Sequence, residues 1–175
     1  TAIISIDSVS GGSAAENGTQ AVTITITENE SAPTVTLAVS ATSIAENAGS
    51  SLTLTATLSG TTSQDVTVAL SSSSSATEGT DYGTVSDITI SSGSTTGTAS
   101  FTPTDDSLYD AASNETAIIA ISGVSGGGAT ESGTQAVTIT ITDNESAPTV
   151  TLTTSATSIA ENAGSSLTLT ATLSG

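Results

Sequence analysis

The most restrictive feature of this sequence is a strict alternation of apolar with mostly Thr and Ser side chains, which occurs in seven separate runs. Side chains at every second position face the same side of a β-strand, whereas an amphipathic helix repeats its apolar residues every three or four positions. Thr at the alternate positions favours a strand because its β-carbon is branched. The apolar members of the runs are Val35, Leu37 and Val39; Leu52, Leu54, Ala56 and Leu58; Val66, Val68 and Leu70; Ile88 and Ile90; Ala99 and Phe101; Ile119 and Ile121; Val137, Ile139 and Ile141.

Gly, Ser and Asn turns separate the seven runs. Short strands at this spacing predict an all-β fold, an immunoglobulin-like antiparallel seven-stranded β-sandwich repeated in tandem. The Cys and Trp of true immunoglobulin domains are absent. We therefore expect an aliphatic core with Tyr82, Phe101 and Tyr109 as its aromatic residues.

The sequence repeats itself at an offset of 115 residues, so that Thr1–Gly60 recurs as Thr116–Gly175 with 51 of 60 positions identical. A unit of this length exceeds solenoid repeats of about 20 to 50 residues, and each copy should hold its own core. We predict the C-terminal part of one repeat at residues 1–30, a complete repeat at 31–145 and the N-terminal part of the next at 146–175. Both ends interrupt strand-like runs, so we expect a longer chain.

The joints between repeats are short. Pro33 and Pro148 hold the same place in successive copies, and no Gly/Ser-rich spacer precedes them. Proline fixes its own φ angle and restricts the residue before it to extended backbone. Neighbouring repeats should therefore abut instead of swinging freely.

Charge excludes several classes of partner. The chain has 17 acidic residues and no Lys, Arg or His, for a net charge of -17. Such a chain repels nucleic acid and anionic lipid surfaces. No apolar run approaches the roughly 18 residues of a spanning helix, so we expect no membrane insertion in this stretch. Only 10% of residues are charged and 35% are hydrophobic, which is typical of a folded chain and not of an acidic disordered tail.

Two patterns associated with enzymes fail for lack of partners. The run "GVSGG" around Ser125 matches the G-x-S-x-G nucleophile turn, but no His exists to act as its base. Asp105 and Asp106 could be compared with the paired carboxylates of glycosidases, but three aromatic residues are a poor supply for a sugar cleft. We predict that the chain is not an enzyme.

The segment Phe101–Ser122 places four carboxylates, Asp105, Asp106, Asp110 and Glu115, between two apolar runs, with no basic side chain to pair them. Two carboxylates about 4 Å apart repel by about 1 kcal/mol in water and by about 4 kcal/mol at an effective dielectric of 20. Calcium, which takes about 6 to 8 oxygen ligands, would relieve that repulsion. A solvated acidic loop is the alternative, and neither the EF-hand loop nor the Gly-Asp nonapeptide pattern is present.

Four segments in order resemble a Calx-beta domain: "SIAENAGSSLTLTATLS", "ATEGTDYGTVSDITISSG", "FTPTDDSLYDAASNETAIIAIS" and "AVTITITDNE". The resemblance covers the complete unit and, through the repeat, the whole sequence. It implies that acidic segments meet at one end of the sandwich and bind Ca²⁺. The implied metal ligands are Glu46, Asp81, Asp105, Asp106, Asp110, Glu115, Asp143, Asn144 and Glu145. Asn144 interrupts the final acidic triplet, and the loop after Asp106 is less acidic than in the family's strongest binders. Both departures concern how many calcium ions a repeat binds more than whether it binds calcium.

Near-identical tandem copies of this kind resemble the stalks of very large bacterial surface adhesins, including gliding-motility adhesins. The resemblance implies an extracellular, cell-surface structural repeat, stiffened by calcium near the joint after Glu145. Its expected partners are calcium, neighbouring repeats, and either laterally associated copies or glycan and cell-surface ligands. Three alternatives stay open: a calcium-sensing regulatory domain, as in sodium/calcium exchangers; an accessory repeat of a secreted enzyme; and an adhesin whose repeats themselves bind sugars.

Overall fold

The computed structural model describes residues 1–110 and 114–174, which contain strands and turns but no helix. Within that part of the chain, no helix is therefore long and apolar enough to cross a membrane. The contacts divide the chain into two compact units, residues 1–32 and the described residues from Pro33 onward. The repeat boundaries predicted at 30/31 and 145/146 stay predictions.

Thirteen strands are formed by the described residues. They are β1 (Ala2–Ser5), β2 (Ala21–Ile24), β3 (Thr34–Val39), β4 (Ser43–Ala45), β5 (Leu52–Leu58), β6 (Val66–Ser73), β7 (Ile88–Ile90), β8 (Thr96–Phe101), β9 (Asn114–Ser125), β10 (Thr130–Glu131), β11 (Ala136–Thr142), β12 (Val150–Thr154) and β13 (Leu169–Leu173).

The first unit contains a single antiparallel pair, in which Ala2–Ser5 of β1 lies against Ala21–Ile24 of β2. An isolated two-stranded ribbon has no second layer to bury its apolar side chains. Ile3, Ile4, Val22 and Ile24 accordingly stay 72%, 60%, 64% and 46% exposed.

The second unit contains a two-sheet sandwich. One sheet has the strand order β10-β3-β5-β8, and the other has the order β4-β11-β9-β6-β7. All seven runs of alternating residues form strands, namely β3, β5, β6, β7, β8, β9 and β11, which confirms the predicted all-β sandwich. The two extra strands, β4 and β10, span three and two residues, too few to show an alternation, and they pair in parallel with β11 and β3.

The core between the two sheets is aliphatic, as the composition predicts. Val35, Leu54, Ile119 and Ile139 are fully buried, and they come from the inward positions of four different strands. Tyr82 and Phe101 stack within this core, with ring centroids 4.7 Å apart and planes inclined by 28°. Tyr109, expected to be part of the core, is instead 38% exposed in the acidic loop, where no strand alternation directs it inward.

After the sandwich the chain forms a second hairpin, in which β12 pairs antiparallel with β13 from Val150 against Leu173 to Thr154 against Leu169. In the repeat these two strands correspond to β3, with Thr153 and Thr154 in place of Ala38 and Val39, and to the later part of β5. In the sandwich the other sheet covers the inward face of β3 and β5. On β12 and β13 the same apolar positions are exposed.

Candidate metal site

Three inward-facing carboxylates sit where strands of the second sheet end. Glu115 lies opposite Ile141 in the β9–β11 pairing and continues the inward positions of Ala117 and Ile119. Asp143 continues the inward positions of Ile139 and Ile141, and Glu46 continues that of Ile44. Because the side-chain period of a strand is two, each acid is directed towards the end of the core instead of outwards.

The Glu46 segment is held to β11 through the backbone. The Glu46 amide donates to the Thr142 carbonyl oxygen at 3.1 Å, directly after the parallel pairing of β4 with β11. This contact keeps Glu46 beside the end of β11 and therefore beside Asp143.

The fourth carboxylate comes from the turn before the buried Tyr82. Asp81 Oδ2 accepts a hydrogen bond from the Thr77 amide at 2.5 Å, and the Asp81 carbonyl oxygen accepts one from the Thr104 amide at 2.9 Å. Tyr82 is 1% exposed and bridges to Pro103. The aromatic core thus fixes Asp81 next to the segment that leads from β8 into the acidic loop.

The acidic loop supplies Asp106 and Asp110. The Leu108 amide donates to Asp106 Oδ1 at 2.6 Å, so Asp106 begins a tight local turn. The Asp110 amide donates to Asp143 Oδ2 at 2.9 Å, which ties the loop to the end of β11 across 33 residues of sequence. Backbone hydrogen bonds therefore assemble acids that repel one another.

A cavity of about 10 Å³, roughly the space of one water-sized sphere, lies among these side chains. A second grouping overlaps it, in which one carboxylate oxygen from each of Glu46, Asp143 and Glu145 lies within 4.8 Å of the others. We call the seven acids of the two groupings the carboxylate cluster. The cavity is lined by Glu46, Asp81, Thr104, Asp106, Asp110, Asn114, Glu115, Ile141 and Asp143.

Crowding of negative charge perturbs the protonation of Glu115. Burial raises the pKa of Glu115 to about 7, assisted by the charge of Asp81, by a hydrogen bond to Asp81 and by the charges of Asp110 and Glu46. A carboxylate with like charges around it and little water gains by holding a proton. Without a cation, Glu115 is therefore partly protonated near neutral pH.

The pKa of Glu145 is also raised. The main cause is a hydrogen bond with Glu46 and the second is a hydrogen bond with Asp143, which together bring the pKa of Glu145 to about 7. The Glu145 amide donates to Asp143 Oδ1 at 2.8 Å, and this bond is the main reason that the pKa of Asp143 is lowered. The two pKa values thus shift in opposite directions, that of Glu145 upwards and that of Asp143 downwards.

The donor set fits a hard divalent cation. Glu145 Oε2 is buried and accepts no hydrogen bond from any donor among the described residues, so only a proton on the carboxyl group itself links Glu145 to Glu46 and Asp143. A buried carboxylate oxygen without a donor is costly, and no Lys, Arg or His exists to supply one. Carboxylate oxygens from five chain segments around a small space are the ligands that calcium prefers.

Three of the nine predicted ligands lie apart from the cavity lining, and of these only Glu145 belongs to the carboxylate cluster. Asp105 borders a neighbouring hollow with Glu46, Gly49 and Ser50. The Asn144 side chain is exposed and donates to Glu145 Oε1 at 2.7 Å. Asn144 therefore orients a cluster member instead of facing the cavity. The ligand role of all nine residues stays a prediction.

Sequence reasoning missed Thr104 and Asn114, whose side chains also border the cavity. Neither residue carries a charge, and Thr104 lies beyond the end of β8, where alternation does not give the direction of its side chain. Asn114 directly precedes Glu115 at the start of β9, but an uncharged side chain in an acid-rich segment did not stand out.

The first unit carries the counterpart of the final acidic triplet. Glu28, Asn29 and Glu30 correspond to Asp143, Asn144 and Glu145. A hydrogen bond between the two acids raises the pKa of Glu28 and lowers that of Glu30. The directions are the reverse of those in the later copy, where the pKa of Asp143, the counterpart of Glu28, is lowered and that of Glu145 is raised.

The fold defines the class: the second unit is a β-sandwich like that of Calx-beta domains. The chain is similar to the crystal structure of an apo-form Calx CBD1 domain, with a TM-score of 0.51, 17% identity, and coverage of 63% of this chain and 98% of that one. Ser125, which matched the nucleophile-turn pattern, is the last residue of β9 and pairs with Thr67 of β6.

Two further solved structures are more distantly similar. CBD12 from CALX1.2 matches with a TM-score of 0.49 and 19% identity over 58% of this chain and 41% of that one. A two-domain protein of unknown function from Bacteroides fragilis matches with a TM-score of 0.43 and 9% identity over 71% and 55%. No family model matches the sequence, and no curated protein matches it.

Proposed function

We propose that this chain is part of a calcium-stiffened stalk, built from tandem Calx-beta-like repeats, of an extracellular adhesin or surface fibre. The observation that carries the proposal is the carboxylate cluster, which gathers acids from five segments in a chain without a single basic side chain. Calcium supplies the countercharge that the protein lacks. The repeat supplies length, and no pocket for a substrate is needed.

The position of Glu145 links calcium binding to stiffness. Glu145 belongs to the cluster and is followed within three residues by Pro148, where the next copy of the repeat begins. A cation held by Glu46, Asp143 and Glu145 ties the start of the joint to the end of the sandwich. Proline then limits the backbone freedom of the residues that follow.

Thermal unfolding tests calcium binding directly. The chain is heated in millimolar calcium, in millimolar magnesium and in chelator. Calcium at about 100 times its dissociation constant stabilises the folded state by roughly 2.7 kcal/mol, or about 10 °C in melting temperature for a domain of this size. Identical melting in the three conditions would withdraw the proposal.

Matched variants locate the effect. Glu115→Gln removes one charge from the cavity, and we expect it to abolish most of the calcium-dependent rise in melting temperature. Asp7→Asn removes the same charge from an exposed site in the first unit and should leave the rise unchanged. An equal loss in both variants would indicate general charge screening instead of a site.

Stiffening is tested separately by small-angle scattering of a chain with two complete repeats. Calcium should give a longer and better-defined maximum dimension than chelator, because the joint stops sampling bent arrangements. A maximum dimension that does not respond to chelation would contradict the stiffening role even if calcium binds.

A further inference from the structure

Two large apolar side chains of the sandwich are left on its surface. Among the described residues from Pro33 to Glu145, Leu108 and Tyr109 are the only large hydrophobic residues that are exposed, at 71% and 38%. They are neighbours in the acidic loop, between Asp106 and Asp110. We call Leu108 and Tyr109 the apolar tip of this loop. The core of the sandwich does not cover the tip, so its partner must lie elsewhere.

Both flanks of the apolar tip are held at the carboxylate cluster. Asp106 and Asp110 line the same cavity, whereas the tip residues between them do not. The Leu108 amide donates to Asp106 Oδ1 at 2.6 Å, and the Asp110 amide donates to Asp143 Oδ2 at 2.9 Å. The position of the tip therefore depends on the arrangement of the acids on either side of it.

A single carboxylate also holds this loop beside the joint to the next repeat. Asp143 accepts a hydrogen bond from the Asp110 amide at Oδ2, and it accepts one from the Glu145 amide at Oδ1, at 2.8 Å. Tyr109 directly precedes Asp110, and Ser146 directly follows Glu145. The tip and the joint thus begin at the two oxygens of one side chain.

The tip and the joint border the same hollow, which has a volume of about 580 Å³ and which we call the joint hollow. Its lining includes Ser107 and the tip from the loop, and residues 145–148 from the joint. Glu145 is the one charged residue among the described residues that line it, although the chain carries 17 acids. Ala147 and Pro148 therefore offer the tip an apolar surface with little charge around it.

We infer that the apolar tip docks on Ala147 and Pro148, and that a cation held by the carboxylate cluster stabilises the docked form. The inference rests on the proposed function, because it takes calcium to bind beside Asp106, Asp110 and Asp143. Docking removes apolar surface of the tip and of the joint from water. It also gives the proposed stiffening a contact that reaches beyond the sandwich to the start of the next repeat.

Docking and calcium binding are linked in both directions. A cation that favours the docked tip must itself bind more tightly when the tip can dock. The tip residues therefore affect calcium affinity, although neither of them borders the cavity.

Tyrosine fluorescence of the full chain tests docking. Tyr82 is 1% exposed and Tyr109 is 38% exposed, so acrylamide, an uncharged quencher, reaches mainly Tyr109. Millimolar calcium should lower the quenching constant by about half or more relative to chelator, because docking covers the exposed face of the ring. Tyr109→Phe should abolish this calcium-dependent change.

The melting temperature of the same samples separates docking from calcium binding. A calcium-dependent rise in melting temperature with unchanged quenching of Tyr109 would overturn docking and leave the calcium site intact. If calcium changes neither quantity, both the docking and the proposed function are wrong.

A substitution in the tip tests the linkage. Leu108→Ser keeps the backbone amide that bonds to Asp106 and removes the apolar side chain, and it should weaken calcium binding about fivefold, the lower end of common coupling effects. Val9→Ser removes a 42% exposed apolar side chain from the first unit and should leave the affinity unchanged. Titration calorimetry with calcium chloride measures both, and an unaltered affinity in Leu108→Ser would contradict the linkage.

Cysteine pairs identify the surface on which the tip docks. The chain has no Cys, so Leu108→Cys combined with Ala147→Cys allows a single intramolecular disulfide, which requires Cα atoms within about 7 Å. Oxidised glutathione should form this disulfide faster in calcium than in chelator. Leu108→Cys combined with Ser50→Cys, at the hollow beside Asp105, should not cross-link. Equal cross-linking of the two pairs, or none in the first, would refute docking on the joint.

Discussion

At the scale of single residues, adjacent acids in the sequence have different surroundings. Asp105 and Asp106 are adjacent and chemically identical, but only Asp106 lines the cavity, while Asp105 borders the hollow beside it. Strand alternation directs Glu115, Asp143 and Glu46 inwards from three strand ends, whereas Asp105 and Asp106 lie beyond the end of β8 and outside any strand. Neighbouring acids in the sequence therefore differ in what they can bind.

This difference predicts unequal effects of two matched substitutions. Asp106→Asn should weaken calcium binding about tenfold or more, because it removes a charged oxygen ligand, whereas Asp105→Asn should weaken it by less than about threefold. Both variants lose one charge, so general electrostatics cancels in the comparison. Titration calorimetry gives the two dissociation constants, and equal losses would show that a place in the cavity lining does not select the ligands.

The raised pKa values of Glu115 and Glu145 predict an unusual dependence of stability on pH. Each group has a folded-state pKa of about 7 and an ordinary value of 4.5, so the folded state binds more protons than the unfolded state between these values. Stability from protonation is then fully present below about pH 4.5 and is lost as the pH rises through about 7. In chelator, the melting temperature should rise as the pH is lowered from 8 towards 5.

Glu115→Gln and Glu145→Gln supply the control, because each amide keeps the shape of the side chain without a titrating group. Both should flatten the pH profile measured in chelator. In saturating calcium the sign should reverse, since protons then compete with the cation and lower its affinity. A profile that is unchanged by both substitutions would assign the pH dependence to the overall charge of the chain.

At the scale of strands, one edge of the sandwich depends on a glycine. A Cβ atom on Gly97 of β8 would lie 2.5 Å from the Thr89 carbonyl oxygen and 2.8 Å from Ile88 Cγ2 of β7. The two strands belong to different sheets, and their close approach closes the core beside Ile88 and Ile90, both fully buried. Only a residue without a side chain allows this distance.

We expect Gly97→Ala to lower the free energy of unfolding by about 1 to 3 kcal/mol, the usual cost of forcing extra atoms into a packed region. Gly60→Ala is the matched control, since an added Cβ there meets no atom within 4 Å, and its effect should stay within about 0.5 kcal/mol. Urea unfolding measures both. A neutral Gly97→Ala would mean that β7 and β8 separate without cost.

At the scale of the whole molecule, the same sequence occurs in two structural contexts. Residues 43–60 and 158–175 are identical, but β5 begins at Leu52 whereas its counterpart β13 begins only at Leu169. The difference lies in the second layer, which covers β5 and is missing over β13. Local propensity is equal in the two copies, so packing accounts for the longer strand.

Hydrogen exchange at low micromolar concentration should display this difference. Amides of β1, β2, β12 and β13 should exchange nearly as fast as an unfolded chain, because an isolated two-stranded ribbon is at best marginally stable. Amides of β5 and β9 should exchange only through global unfolding. Equal protection in β13 and β5 would show that the hairpin is stable without a covering layer.

The sequence by itself determined the fold class, the inward residues of seven strands and the supply of acids without bases. The fold class and the inward residues follow from the two-residue period of each run, which is a local pattern. The supply of acids without bases follows from composition. It also identified the segments that carry the acids, through their resemblance to a known domain.

Only the tertiary structure decided which acids face one cavity, because that depends on where strand ends from both sheets meet. It separated Asp106 from Asp105, brought Glu46 to Asp143 across almost a hundred residues and left Glu145 Oε2 without a partner among the described residues. Alternation along a strand shows which side chains share a face, but only the packing of the sheets shows what lies against that face.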